Sequence, residues 1–563
     1  MPTIEIDFKD LQSLIGTDLP KNVEELDQVL SYVKGEVTLL NEQEVHVEIG
    51  DTNRPDLWNV EGLARALQGF LKIETGLREY TIAASSGVEV HVDPRLKGIR
   101  PYIACAVVKN PKISDAAIRG VMQFQDKLDQ TYGRRRKRAS IGLYDFGLVT
   151  PPIRYGVAKP REISFAPLGF EEHMTLEEIL QRHPKGLEYG HIVRGHEDWP
   201  ILMDSEERVL SFPPVINSND LGRVTEETQD VLIEVTGTAH ETVLNTVTAV
   251  ALSLVDRGGK IHSAEVHYPY GRIREIVTPQ LKTQTVEIKM EHINKVLDLK
   301  LEPREAAELL ERGRFGVKKI EGGTLTVEVP CYRMDVMHPI DLVEDIAIGY
   351  GYNNIKPTWP QLPTIGGLTA KEQFCNAVRE IMLGLGFQEA LTFTMTSPEN
   401  LFAKMNLKPE RVVEVVNPKI LTLTCLRNWL LPSLMEFLSH NTHVEYPQRI
   451  FEAGYAVVFD RERENQTRDV KKLACVSVHP NANFTEIKSV TDALFLNLGV
   501  KYDLEESEHK SFIQGRTGKV LVNGKEIGII GEIHPRVLEI WKLENPAVAL
   551  EISLDEISRL DEK

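Results

Sequence analysis

The chain has 563 residues, more than one hydrophobic core normally supports, so three to five domains are expected. Apolar residues at 42% and charged residues at 26% are ordinary values for a soluble globular protein. The net charge of −18 argues against a generic nucleic-acid binder, whose affinity rests on cations facing phosphates, unless a local basic patch exists.

Met1 to Asp7 alternates apolar and acidic residues, the pattern of an edge strand and not of a signal peptide. No apolar run approaches the length of a membrane helix. The scattered cysteines Cys105, Cys331, Cys375, Cys425 and Cys475 lack metal or CxxC spacing, which suits reduced thiols in the cytoplasm. Residues 1–85 read as a small α/β unit. In it Asp51 to Asp56 supplies turn and cap chemistry, and Leu57 to Leu71 carries apolar residues at helical spacing.

Residues 86–272 turn β-rich, with strand-like runs at Val88 to Val92 and Ile103 to Val108. Residues 273–360 form a third unit: helices near Met290 to Leu297 and Pro303 to Arg312, a strand at Thr324 to Val329, and an acidic helix from Pro339. The stretch from Lys356 to Pro363 reads as a linker. Residues 361–563 follow, with an amphipathic helix at Thr369 to Leu385, a strand at Glu389 to Met395, and alternating strands and helices beyond.

Three clusters could carry chemistry. From Gly133 to Arg138, five cations (Arg134, Arg135, Arg136, Lys137, Arg138) occupy six positions, and their self-repulsion is relieved by a polyanion; RNA phosphate is the favoured partner over a merely solvated loop. The loop Ser211 to Asn219 holds hydrogen-bonding side chains near two stiffening prolines. It could bind a polar substrate group together with Glu234 and Thr236 of the strand Val231 to Thr236; the plainer alternative is a structural turn with solvated side chains. No nucleophile elbow or Ser-His-Asp order is present, so attack by water is the more natural hydrolysis. Lastly, Asp341, Glu344 and Asp345 share one face of the helix opened by Pro339, and Asp335 precedes it. Hard oxygen ligands suit Mg²⁺, although acidic first turns also simply complement the helix dipole.

Several segments together resemble one family, the phenylalanyl-tRNA synthetase β subunits of archaeal and eukaryotic type. These are Asp51 to Arg65, Gly133 to Asp145, Ser211 to Asn219, Arg333 to Ala347 with Gly349 to Ile355, Arg427 to Leu434, Phe451 to Gly454, and Gly531 to Pro535. They occur in family order along almost the whole chain. The resemblance implies an α+β multidomain protein: an N-terminal α/β domain (1–85), a β-rich tRNA-editing domain (86–272), a small α/β domain with a magnesium-binding acidic cluster (273–360), and a class II synthetase-like antiparallel sheet flanked by helices (361–563). The last would lack catalytic residues, in line with the missing ATP-gripping arginine near Arg449 to Tyr455.

By the same resemblance, an α subunit holds the catalytic site, and an (αβ)₂ tetramer attaches phenylalanine to tRNA(Phe) with ATP. The β chain hydrolyses Tyr-tRNA(Phe). Leu202, Ser211, Asn217, Glu234 and Thr236 would line the editing pocket, with Glu234 taking the phenolic hydroxyl. Asp335, Asp341, Glu344 and Asp345 would hold Mg²⁺. Bacterial relatives carry an inserted OB-fold domain and a C-terminal anticodon-reading domain, for which 563 residues leave no room. The competing readings are a free-standing trans-editing hydrolase and a nucleic-acid-binding module. A silent class II region speaks against the first and the acidic balance against the second.

Overall fold

Alternation of apolar residues sets the first sheet. In a computed structural model that describes residues 2–271, 274–360, 362 and 364–558, the strand Glu44–Ile49 buries Val45, Val47 and Ile49 and sits between Thr3–Asp7 and Gly35–Leu40, antiparallel to both. Thr3–Asp7 is thus an edge strand. The helix next to this sheet is shorter than its periodicity suggests, Val60–Phe70, because the Asn59 side chain accepts the Gly62 N–H at 2.7 Å and caps it there. The chain divides into two compact units, Met1–Thr358 and Trp359–Lys563. The division falls inside the proline-rich stretch, of which Gln361 and Pro363 lie outside the described residues, as does the expected boundary at 272/273.

The second sheet of the first unit has ten strands. Its order runs Ile216–Asn217, Val209–Phe212, Trp199–Met203, Ile153–Ala158, Ile82–Val92, Lys260–His267, Tyr102–Lys109, Asp230–Gly237, Ala139–Asp145, with Glu275–Thr278 beside Lys260–His267. Tyr102–Lys109 is central and buried on both faces: Ala104, Ala106 and Val108 join one core, Ile103, Cys105 and Val107 the other. The helix His240–Asp256 packs on the first of these faces.

A third, antiparallel sheet (Gln284–Lys289, Thr324–Val329, Gly316–Glu321) is backed by helices Met290–Leu297, Pro303–Arg312 and Pro339–Tyr350. Their bounds agree with the apolar spacing read from the sequence. This shared core contains Ile293, Leu310, Leu325, Val327, Leu342 and Ile346.

The second unit is one seven-stranded sheet, ordered Gln388–Glu389, Gln448–Phe459, Thr467–Val478, Ala547–Ser553, Lys525–Ile533, Phe512–Val522, Asp503–Glu506. All pairs are antiparallel except the first. Strand Thr467–Val478 alternates between two cores: Leu473 and Cys475 face helices Ala370–Gly384 and Phe484–Leu498, and Ala474, Val476 and Val478 face helix Leu431–His440. The expected strand Glu389 to Met395 is not continuous. Only Gln388–Glu389 and Met395–Thr396 pair, and between them Leu391 and Phe393 stand 87% and 80% exposed. Ladder partners, which local pattern cannot supply, decide this segment. Among the described residues no helix is long and apolar enough to cross a membrane.

Candidate functional site

Beyond Asp230 at its start, strand Asp230–Gly237 is apolar except at two buried positions, Glu234 and Thr236. Period two places Leu232, Glu234 and Thr236 on one face, and the register sets Glu234 opposite Gly142. The Glu234 carboxylate is 2% exposed. Tyr144 donates its hydroxyl to Glu234 Oε2 at 3.0 Å. A Cβ on residue 142 would lie 2.3 Å from the Tyr144 hydroxyl and 2.6 Å from Oε2, so only glycine leaves room for this pair. The other oxygen, Oε1, is buried and makes no close hydrogen bond among the described residues, although the Thr236 hydroxyl stands near enough to pull the carboxyl down. Burial pushes the Glu234 carboxyl up to about 7, against the lowering pull of the Tyr144 hydroxyl.

Glu234 is one of the residues around a cavity of about 520 Å³. Helix Asp115–Gln130 gives it apolar wall through Ile118, Val121 and Met122; Ser211, Asn217 and the Pro213–Pro214 turn give it a polar lip. Ser211 Oγ is likewise buried without a hydrogen bond among the described residues. Lys185 and Arg223 also line it. An apolar chamber with a buried carboxyl and a hydroxyl among its lining residues suits a ligand that is mostly hydrophobic and carries a hydroxyl.

Three of the five expected pocket residues, Ser211, Asn217 and Glu234, therefore meet around one cavity. The other two stand behind it. Leu202 is fully buried in the core that also takes Leu232 and Tyr144, and is paired across the strands with Ser211. Thr236 is held by Arg100, whose Nε donates to Thr236 Oγ1 at 2.9 Å and whose Nη2 reaches Thr236 O at 2.5 Å and Ser140 Oγ at 2.9 Å. Gly142, Tyr144 and Arg100 were not singled out by sequence reasoning. A glutamate inside an apolar strand is a readable signal; its partners are fixed by register with a strand some 90 residues away.

The basic run is a tight turn, not an open loop. Arg134, Arg135 and Arg136 all have positive φ (50°, 52°, 62°), which costs roughly 1–2 kcal/mol for each such residue. The Arg136 and Lys137 carbonyls accept from Arg100 Nη1 at 2.9 and 3.3 Å. Arg134, Arg135, Lys137 and Arg138 are exposed, but the Arg136 side chain turns inward and is paired with Asp129 at 2.9 Å. Burial pushes the Asp129 carboxyl up to about 7 even beside that guanidinium.

The acidic cluster does not converge as a magnesium site. Arg333 takes Asp335 (2.9 and 2.7 Å) and Asp345 (3.2 and 2.7 Å) in two forks. Asp341 caps its helix, accepting the N–H groups of Met337 and His338 at 2.8 and 2.7 Å, and Glu344 meets Lys34 Nζ at 2.5 Å. Among the described residues no three His, Cys, Asp or Glu side chains form a metal-ligand set. An arginine two residues before Asp335 was overlooked as the competing cation. A Mg²⁺ ion would have to displace Arg333 before these carboxylates could share it.

In the second unit, Arg427 and Glu452 form a buried pair at 2.6 Å with Thr392, and Arg449 pairs with Glu486 at 3.1 Å.

Two family models match in the regions just described: the tRNA synthetase B5 domain over residues 286–352, and the phenylalanyl tRNA synthetase beta chain CLM domain over residues 355–554. Both are domains of tRNA synthetases. Full-length relatives specify the subunit. The phenylalanine–tRNA ligase beta subunit of Pyrococcus abyssi is 46% identical over 98% of this chain and 99% of its own length. That of Pyrococcus furiosus is 45% identical (99% and 100%), and that of Methanococcoides burtonii 38% (99% and 100%). A crystal structure of an N-terminal fragment of the phenylalanyl-tRNA synthetase beta-subunit from Pyrococcus horikoshii matches with a TM-score of 0.59 and 41% identity, covering 62% of this chain and all of the fragment. The chain belongs to the phenylalanine–tRNA ligase beta-subunit family.

Proposed function

We propose that this chain works as the β subunit of a phenylalanine–tRNA ligase and that its Glu234 cavity removes tyrosine from mischarged tRNA(Phe). The buried Glu234 carboxyl, set among the residues that line an apolar chamber, carries the reading. An apolar amino-acid pocket rejects an added hydroxyl only weakly, so charging alone lets tyrosine through. Here the same hydroxyl finds a carboxylate acceptor, while phenylalanine has no hydroxyl to give it. A hydroxyl-to-carboxylate bond contributes about 1.5–3 kcal/mol, roughly ten- to hundredfold in selection. Water then attacks the ester carbonyl, the carbonyl–ribose oxygen bond breaks, and the ribose oxygen takes the proton, giving free tyrosine and tRNA(Phe). Ser211 and Asn217 orient the ester end; Lys185 and Arg223 face the RNA backbone.

Charging itself, which consumes ATP with Mg²⁺ and joins phenylalanine to tRNA(Phe), is assigned to an α subunit in an (αβ)₂ complex in the cytoplasm. The second unit of this chain serves assembly. Its buried Arg427–Glu452 pair fills the sheet interior rather than facing a nucleotide, in support of a silent class II fold. The test is phenylalanine charging by this chain alone and after co-expression with its α subunit. Activity only in the complex is expected; activity of the chain alone, or none in a verified complex, overturns the assignment.

A further inference from the structure

We propose that Arg136 is a positioning residue for the cavity around Glu234, and that phosphate contact within the basic turn belongs to Arg134, Arg135, Lys137 and Arg138. The inference rests on the editing reading of that cavity. Arg136 is set apart from its neighbours by where its guanidinium goes. Nε pairs with the buried Asp129 at 2.9 Å, Nη1 donates to the carbonyls of Pro214 and Val215 at 3.1 and 2.9 Å, and the plane lies 4.2 Å over the Tyr189 ring. Its charge is thus already matched, and its side chain is 13% exposed.

What it holds is the tip of a hairpin. Strands Val209–Phe212 and Ile216–Asn217 pair Ser211 with Asn217 and Phe212 with Ile216, and Pro213–Val215 turns between them. The Val215 N–H to Phe212 carbonyl bond at 2.7 Å closes the turn, which leaves the outward carbonyls of Pro214 and Val215 for Arg136. The two legs carry the two polar groups of the cavity lip. One planar fork therefore fixes the separation of helix Asp115–Gln130, through Asp129, from the hairpin that bears Ser211 and Asn217. Arg134, Arg135 and Arg136 share a left-handed backbone, and of the three only Arg136 turns its side chain inward while the other two stay in solvent. A lysine carries its three donors on one nitrogen, and so lacks the planar spread with which Arg136 reaches an acid on one side and two carbonyls on the other.

The experiment compares two substrates with the αβ complex: Tyr-tRNA(Phe), and tyrosine esterified to adenosine, which has no phosphate for the turn. R136K and R136Q are expected to lower kcat roughly ten- to hundredfold on both substrates with KM little changed, because the lip is misplaced. The double variant R134A/R135A is expected to raise KM for Tyr-tRNA(Phe) alone. Phenylalanine charging at the wild-type rate reports that a variant folds and assembles; if one Arg136 variant fails that check, the other carries the test. The proposal is overturned if the Arg136 variants raise only KM for Tyr-tRNA(Phe), which makes Arg136 a phosphate contact, or if they leave both substrates unaffected. Absence of hydrolysis by the wild-type complex would instead remove the editing reading itself.

Discussion

The Tyr144 hydroxyl donates a hydrogen bond to Glu234 Oε2 at 3.0 Å, so one carboxylate oxygen is held by the protein beside the cavity that Glu234 helps to line. The pair sets both the direction in which Glu234 points and the pH at which it is an acceptor. Desolvation raises the Glu234 carboxyl to about 7, and the Tyr144 bond holds it lower than burial alone would. Tyr144→Phe removes that bond. The acid limb of Tyr-tRNA(Phe) hydrolysis should then move to higher pH, as read from kcat/KM across the range about pH 6 to 8. A limb that stays or moves down contradicts this role for Tyr144.

The same shift has a stability consequence. Glu234 binds its proton more tightly folded than unfolded, so folding is favoured while it is protonated, and stability declines as pH rises from the ordinary carboxylate value through about 7. Glu234→Gln abolishes that decline. Thermal unfolding of the variant should exceed that of the wild type at alkaline pH and lose the advantage in acid. The opposite order would mean that Glu234 is stabilised as the anion.

Gly142 is a position of close approach. The Cβ of Gly142→Ala would sit 2.3 Å from the Tyr144 hydroxyl, and the neighbours must shift. Overpacking of this kind costs about 1–3 kcal/mol. Denaturant unfolding should show that loss, and Tyr-tRNA(Phe) hydrolysis should fall while phenylalanine charging persists. Wild-type editing in the variant would show that the Tyr144–Glu234 geometry is not used.

Arg333 already neutralises Asp335 and Asp345. Chelation with EDTA should therefore leave the unfolding temperature of the isolated chain unchanged, within about 1 °C. A clear drop, restored by Mg²⁺, would show that the ion displaces Arg333.

Local pattern made much of this architecture readable. The helices Met290–Leu297 and Pro303–Arg312 follow their apolar spacing because each buries one face against its own neighbouring sheet. Glu234 could be suspected because a charge interrupts a strand otherwise made of apolar residues. Its partner could not, since Tyr144 reaches it through strand register and not through sequence proximity. Arg136 looks like any member of its run, and only its contacts with Asp129 and the Pro214 and Val215 carbonyls separate it from the exposed cations. The i, i+3, i+4 spacing of Asp341, Glu344 and Asp345 suggested a shared ion, but Asp345 and Glu344 are met by the Arg333 guanidinium and the Lys34 ammonium.

The most direct measurement is hydrolysis of Tyr-tRNA(Phe) by the αβ complex with wild-type chain and with Glu234→Ala, alongside phenylalanine charging by both. The wild type should clear Tyr-tRNA(Phe), and the variant should accumulate it while charging phenylalanine normally. Equal hydrolysis by both would contradict the assignment of Glu234 and its cavity to proofreading.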